Sequence, residues 1–103
     1  MQPELWIGLV EMRPLDRKAY GAAGAFVDIL TWASNASEYR AKAETIAATL
    51  DLYVVGVQKE QPLSERLVNV TPSEELEDMI SRAESNPNAI IWGTFHRWNF
   101  DTA

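Results

Sequence analysis

The first strongly hydrophobic segment, Leu5 to Met12, carries apolar residues on both of its sides. Successive side chains of a β-strand point to opposite faces, so its odd and even positions form two separate sets. One set contains Leu5, Ile7 and Leu9, and the other contains Trp6, Val10 and Met12. This pattern is typical of a strand buried on both faces, and we predict that Arg13-Pro14 ends it.

A second strand is predicted from Ala25 to Ala33, after a connection that contains the small-residue run Gly21-Ala22-Ala23-Gly24. Its odd positions include Val27 and Ile29. Its even positions form a second apolar face, made by Phe26, Leu30 and Trp32. Asp28 is the polar residue that interrupts this second face. The segment therefore resembles the first strand, with apolar residues on both sides.

A helix is predicted after the second strand. Asn35 followed by Glu38 can satisfy the free backbone N–H groups of a first turn reciprocally, with Ser34 and Ser37 as alternative caps. Apolar residues then recur at helical spacing, and charged residues occupy the other positions. We expect this helix to end near Leu50-Asp51.

The second half of the chain is predicted to hold three strands and one helix. Leu52 to Val57 is rich in β-branched and aromatic residues and forms the third strand. Leu67 to Val70 is interpreted as a short edge strand beside it. The sequence Thr71-Pro72-Ser73-Glu74 has a cap residue, a proline at the first helical position and a glutamate at the third, and it predicts a helix from about Pro72 to Ser85. The apolar segment Ala89 to Trp98 then forms a last strand, which we expect to lie inside the sheet.

From the second strand onward, this order of elements is the split β-α-β order of ferredoxin-like folds, preceded by an extra N-terminal strand. We predict a single α+β domain over residues 1–103. It would be a two-layer sandwich, with a mainly antiparallel sheet of about four or five strands and two helices on one face. The predicted core residues are Ile7, Leu9, Val27, Ile29, Ile46, Leu50, Val55, Leu76, Met79, Ile80 and Ile91.

Composition narrows the classes of function. An apolar fraction of 47% with four tryptophans predicts a folded chain, and the absence of cysteine excludes disulfides and thiolate chemistry. The net charge of −6 disfavours nucleic-acid binding. No segment has the roughly 18 consecutive apolar residues of a membrane span, and the N-terminus does not resemble a signal peptide. We therefore expect a cytoplasmic protein without nucleic-acid or membrane partners.

Few residues suggest catalysis. His96 is the only histidine, and no HExxH sequence and no cysteine accompany it as metal ligands. None of the serines lies in a G-x-S-x-G sequence. We therefore predict no catalytic residue, no metal site and no cofactor. An enzyme is the less favoured interpretation.

The predicted sheet leaves one question open. If both helices cover one face, the other face must meet solvent, a partner, a ligand, or the chain's own connection through residues 13–24. Opposed sheets of a homodimer would bury it, and so would a ligand held between the sheet and that connection. The candidate ligand or interface residues are Trp6, Arg13, Arg17, Tyr20, Trp32, Trp92, His96 and Trp98.

An acidic turn at the start of the second predicted helix offers another surface. Glu74, Glu75 and Asp78 favour the helix N-terminus electrostatically, and they could also dock on a basic protein partner. The sequence thus predicts a non-catalytic interaction module, acting as a homodimer or as an acidic partner of the inhibitor or immunity type. The alternative is a small-molecule-binding protein or small enzyme with a pocket between the aromatic sheet face and the connection.

Overall fold

Five strands and three helices make up the computed structural model, which describes residues 3–16 and 23–98. The strands are β1 (Glu4–Pro14), β2 (Gly24–Ala33), β3 (Leu52–Pro62), β4 (Ile90–Trp92) and β5 (His96–Trp98). The helices are α1 (Ala36–Thr49), α2 (Leu63–Asn69) and α3 (Glu74–Glu84). The α+β class is confirmed. None of these helices combines the length and the apolar character that a membrane span requires.

The five strands form one sheet in the order β3-β1-β2-β4, with β5 also paired to β2. Each pair is antiparallel, so the prediction of a mainly antiparallel sheet is confirmed. The ferredoxin-like order is not confirmed. The strand predicted as an N-terminal addition, β1, lies inside the sheet between β2 and β3, which run parallel to each other because both are antiparallel to β1.

Helices cover both faces of the sheet. In the register of β1 and β2, Val10 is opposite Val27 and Ile7 is opposite Leu30. The face that carries Val10 and Val27 packs against α1, and we call it the α1 face. The face that carries Ile7 and Leu30 packs against α2 and α3 through Leu63, Met79 and Ala83, and we call it the α3 face. The two helices predicted to share one face, α1 and α3, therefore lie on opposite faces.

Small residues allow α1 to approach the sheet closely. Ala43 and Ala47 are fully buried against it, and so is Tyr39. The Tyr39 hydroxyl donates to the Ile29 carbonyl oxygen at 2.7 Å. A Cβ atom at Gly8 would lie 3.0 Å from that hydroxyl, so the glycine in β1 leaves the space that the tyrosine occupies.

Two element predictions are wrong. The predicted edge strand from Leu67 to Val70 falls mostly within α2, whose Leu63 is buried against the α3 face. Tertiary packing outweighs the weak β-propensity of this short segment. The predicted last strand is divided into β4 and β5, and both lie at the edge of the sheet beside β2 rather than inside it.

The predicted core is confirmed in part. Ile7, Val27, Ile29 and Met79 are buried, whereas Val55 is 45% exposed on the outermost strand. The prediction omitted several fully buried residues, among them Val10, Met12, Leu30, Tyr39, Ala43 and Ala47. Strand order explains the differences, because an interior strand such as β1 is buried over most of its length, whereas β3 borders solvent.

Candidate functional site

The predicted aromatic residues do not gather on one face. Trp6 is opposite Thr31 on the α1 face, and Trp32 is opposite Leu5 on the α3 face. Trp92 pairs with Ile29 on the α1 face and is 39% exposed. Arg17 and Tyr20 lie outside the described residues, as does most of the connection between β1 and β2. The backbone of Trp98 pairs with Gly24 at the end of β2.

Two of these aromatic residues have structural contacts. Trp6 packs beside Tyr39 with ring centroids 6.5 Å apart, and its indole N–H is buried without a hydrogen-bond partner among the described residues. The Trp32 indole N–H points to the end of α3, within 2.9 Å of the Ala83 carbonyl oxygen and 3.1 Å of the Asn86 carbonyl oxygen. This contact ties the last turn of α3 to β2.

A cavity of about 220 Å³ opens between the α3 face, α2 and α3. Its apolar wall comes from the sheet and from the inner side of α3. Its polar groups come from β2, α2 and the segment that begins α3. The lining residues are Ile7, Asp28, Arg66, Val70, Thr71, Ser73, Glu75, Leu76 and Met79.

Asp28 gives this cavity its most unusual group. It lies in the middle of β2, opposite Leu9 on the α3 face, and is half-buried. Among the residues that the structure describes, its carboxylate makes no hydrogen bond and no ion pair. Burial raises the pKa of Asp28 above its ordinary value, although the nearby positive charge of Arg66 opposes the change. A carboxylate is thus held partly out of water with a positive charge nearby but without a direct ion pair or hydrogen bond among the described residues.

Arg66 reaches the cavity from α2. Its guanidinium group donates to the Lys59 carbonyl oxygen at 3.1 Å. It also donates to the side-chain oxygen of Gln61 when that amide is oriented to accept. Both acceptors belong to the end of β3, so Arg66 is anchored there rather than paired with Asp28.

Glu75 closes the cavity on the side of α3. Its carboxylate accepts hydrogen bonds from the Thr94 backbone N–H at 3.1 Å and from the Thr94 hydroxyl at 2.7 Å. These bonds hold the pKa of Glu75 below its ordinary value. A Cβ atom at residue 93 would collide with the same carboxylate, so Gly93 allows its close approach. This is where the predicted last strand breaks.

The other predicted site residues have separate positions. Asp78 faces Arg82 one turn later in α3 at 3.6 Å, and Glu74 is exposed at the start of the helix. Arg13 is exposed with its guanidinium group 3.8 Å from the Glu11 carboxylate. His96 is exposed in β5. Its positive charge opposes the rise in the pKa of Asp28, and it adds to the larger effect of the Thr94 hydrogen bonds on the pKa of Glu75. Of the predicted site residues, Glu75 is among those that line the cavity, whereas His96 is not.

Sequence reasoning did not select Asp28 or Arg66 as site residues. Asp28 did carry a signal, because it is an acidic residue on an otherwise apolar face of a strand buried on both sides. Arg66 carried none, since its position depends on α2, which the sequence pattern did not predict.

The arrangement is suited to recognition. A half-buried carboxylate beside apolar side chains can accept hydrogen bonds from a cationic group whose apolar part contacts Leu76 and Met79. Ser73 is already engaged as the cap of α3, accepting from the Leu76 N–H at 3.1 Å. Within residues 3–16 and 23–98, no three His, Asp or Glu side chains cluster closely enough to hold a metal ion.

Comparisons with protein-family models, with curated proteins and with solved structures find no significant match to this chain.

Proposed function

We propose that this protein binds a small organic cation in the cavity beside Asp28. The observation that carries the proposal is the half-buried carboxylate, which has no hydrogen bond or ion pair among the described residues and opens into the cavity. Taking a charge out of water costs free energy unless a partner compensates for it. A bound ammonium or amidinium group would supply that partner.

The surrounding groups favour a ligand with one charged end and a compact apolar part. Leu76 and Met79 provide an apolar wall, and Ile7 provides the floor. The volume of about 220 Å³ is below the roughly 300–1,000 Å³ of sites for drug-sized molecules. A primary amine on a single ring or on a short alkyl chain is therefore the chemical class that fits best.

This proposal belongs to the small-molecule-binding alternative that the sequence left open, with the pocket in a different place. The cavity lies between the sheet, α2 and α3, and not between the sheet and residues 13–24. The interaction module, as a homodimer or as an acidic partner of another protein, stays a prediction. We prefer small-molecule binding to the interaction module because the cavity combines a carboxylate that lacks a direct ion pair with a defined volume.

Binding can be tested with three probes of similar shape. Benzylamine, benzyl alcohol and benzoate carry a positive charge, no charge and a negative charge on the same ring. We expect benzylamine to shift the backbone amide NMR signals of Asp28, Thr71 and Thr94 in a saturable manner, and benzoate to leave them unchanged. Charge-assisted hydrogen bonds contribute about 1.5–3 kcal/mol, so Asp28→Asn should weaken benzylamine binding by roughly tenfold or more.

A matched control uses the same change on an exposed carboxylate. Asp78→Asn removes a charge from the outer side of α3 and should leave the affinity for benzylamine unchanged. Equal binding of all three probes, or equal affinities of the two variants, would contradict the proposal. A set of aliphatic amines of increasing length would then show how much apolar volume the site accepts.

A further inference from the structure

The outer side of β3 is an open edge of the sheet. β3 is 11 residues long and ends the strand order, with β1 paired on its other side. Among residues 3–16 and 23–98, no strand pairs with this outer edge. An exposed strand of this length presents backbone N–H and C=O groups on which another strand can pair.

The middle of β3 lacks two features that commonly protect a sheet edge from pairing, which are charged residues and prolines. Neither occurs in residues 52–58. Tyr53 and Val55 are each 45% exposed. Val55 is the extra residue of a β-bulge, because Glu11 is opposite Gly56 and Met12 is opposite Val54, which leaves Val55 without a partner in β1.

This stretch is symmetric about Val55. It begins after Asp51, which has a φ of 59°, and it ends before Lys59, which has a φ of 57°. These two left-handed residues interrupt the extended backbone at equal distances from Val55, and their charges are opposite.

We infer that β3 pairs antiparallel with β3 of a second copy of this chain, with Val55 on the two-fold axis. In this register Asp51 of each copy faces Lys59 of the other, so two contacts of opposite charge frame an apolar centre. A slip of one residue toward the C-terminus would place Asp51 opposite Glu60, and like charges directly opposite are unfavourable. Self-pairing about a two-fold axis is also the commonest symmetry of protein oligomers.

A single introduced thiol tests both the contact and its register. The chain contains no cysteine, so Val55→Cys would carry the only sulfur nucleophile. Residues directly opposite in an antiparallel pair have Cα atoms about 4.5–5.5 Å apart, which is within the range that disulfides span. We expect this variant to form a covalent dimer under mild oxidation.

The control is a more exposed position away from the proposed axis. Val68 in α2 is 79% exposed, so Val68→Cys should be at least as reactive toward a soluble thiol reagent. It should nevertheless form clearly less covalent dimer than Val55→Cys. Equal dimer yields from the two variants would overturn the inference.

Exchanging the charges at residues 51 and 59 tests the register in protein that carries no introduced cysteine. Sedimentation over a concentration series should show a mass that rises above 11.6 kDa. Lys59→Asp should weaken dimerisation by about tenfold, because two attractive contacts become repulsive, and the double change Asp51→Lys with Lys59→Asp should restore it. A mass that stays at 11.6 kDa up to roughly 1 mM chain would also overturn the inference, as would failure of the double change to restore the dimer.

Discussion

At the residue scale, buried polar groups show where the fold depends on single atoms. The Tyr39 hydroxyl is the clearest case, because it joins α1 to a carbonyl group of β2 across the core of the α1 face. Its environment also raises the pKa of Tyr39 well above the ordinary value, chiefly through burial. A raised pKa favours the neutral phenol, which is the form that donates the hydrogen bond to the Ile29 carbonyl oxygen.

Tyr39→Phe should destabilise the protein by about 1–2 kcal/mol, because the Ile29 carbonyl oxygen loses a donor while it stays buried. Urea denaturation followed by tryptophan fluorescence measures this change. Tyr53→Phe is the matched control, since the Tyr53 side chain is 45% exposed at the sheet edge, and its free energy of unfolding should match that of the wild type. Equal stabilities of the two variants would mean that water replaces the lost hydrogen bond.

At the scale of the elements, local signals predicted the capping residue of α1 correctly and misplaced that of α3 by two residues. Asn35 caps α1 by accepting from the Glu38 backbone N–H at 2.9 Å, which is one of the two bonds of the predicted reciprocal cap. The alternatives Ser34 and Ser37 make no such bond among the described residues. The cap of α3 is Ser73, whereas the sequence predicted Thr71, two residues earlier.

Asn35→Ala should lower the free energy of unfolding by about 1 kcal/mol, because a donor in the first turn of α1 loses its acceptor. Ser34→Ala, one residue earlier, should have no measurable effect. Thermal unfolding followed by circular dichroism can compare the two variants directly. A larger loss from Ser34→Ala would contradict the capping assignment.

The assembly of elements was harder to predict than the elements. Alternation assigned the faces of β1 and β2 correctly, because the two-residue period is a local property of the chain. The sheet face that each helix covers, and the position of β1 between β2 and β3, depend on contacts between distant segments. The candidate site was equally hard to predict, because it too depends on contacts between distant segments. Asp28 was visible as a polar interruption, but its neighbours Arg66 and Glu75 reach it through the packing of α2 and α3.

At the scale of the whole molecule, the unpaired charge of Asp28 links the site to stability. Burial raises the pKa of Asp28 in the folded state above its ordinary value of 3.8. At pH values below 3.8 the group is mostly neutral in both the folded and the unfolded state, so it has little effect on stability. As the pH rises through the raised folded-state pKa, the unfolded state loses its proton more easily, and the folded state becomes less stable.

Asp28→Asn should therefore be more stable than the wild type at pH 7. We expect a gain of about 0.5–1 kcal/mol, since solvent screens a half-exposed group. The gain should shrink as the pH falls toward 3.8. Glu75 has the opposite effect, because its pKa in the folded state is lowered. It therefore stabilises the folded state at pH values above its ordinary pKa, and this stabilisation is lost in acid. The wild type and Asp28→Asn both contain Glu75, so they share this effect. Urea denaturation at several pH values separates the two contributions, and Asp78→Asn serves as the control.

A gain in stability from Asp28→Asn combined with a loss of benzylamine binding would identify Asp28 as a residue retained for binding at the expense of stability. Binding sites commonly keep charges that the fold alone would not favour. The reverse result, a variant that is less stable than the wild type at pH 7, would mean that the carboxylate already has a stabilising partner in the folded state. The organic-cation proposal would then lose its main support, whereas the inferred pairing of β3 would be unaffected, because it depends on a different edge of the sheet.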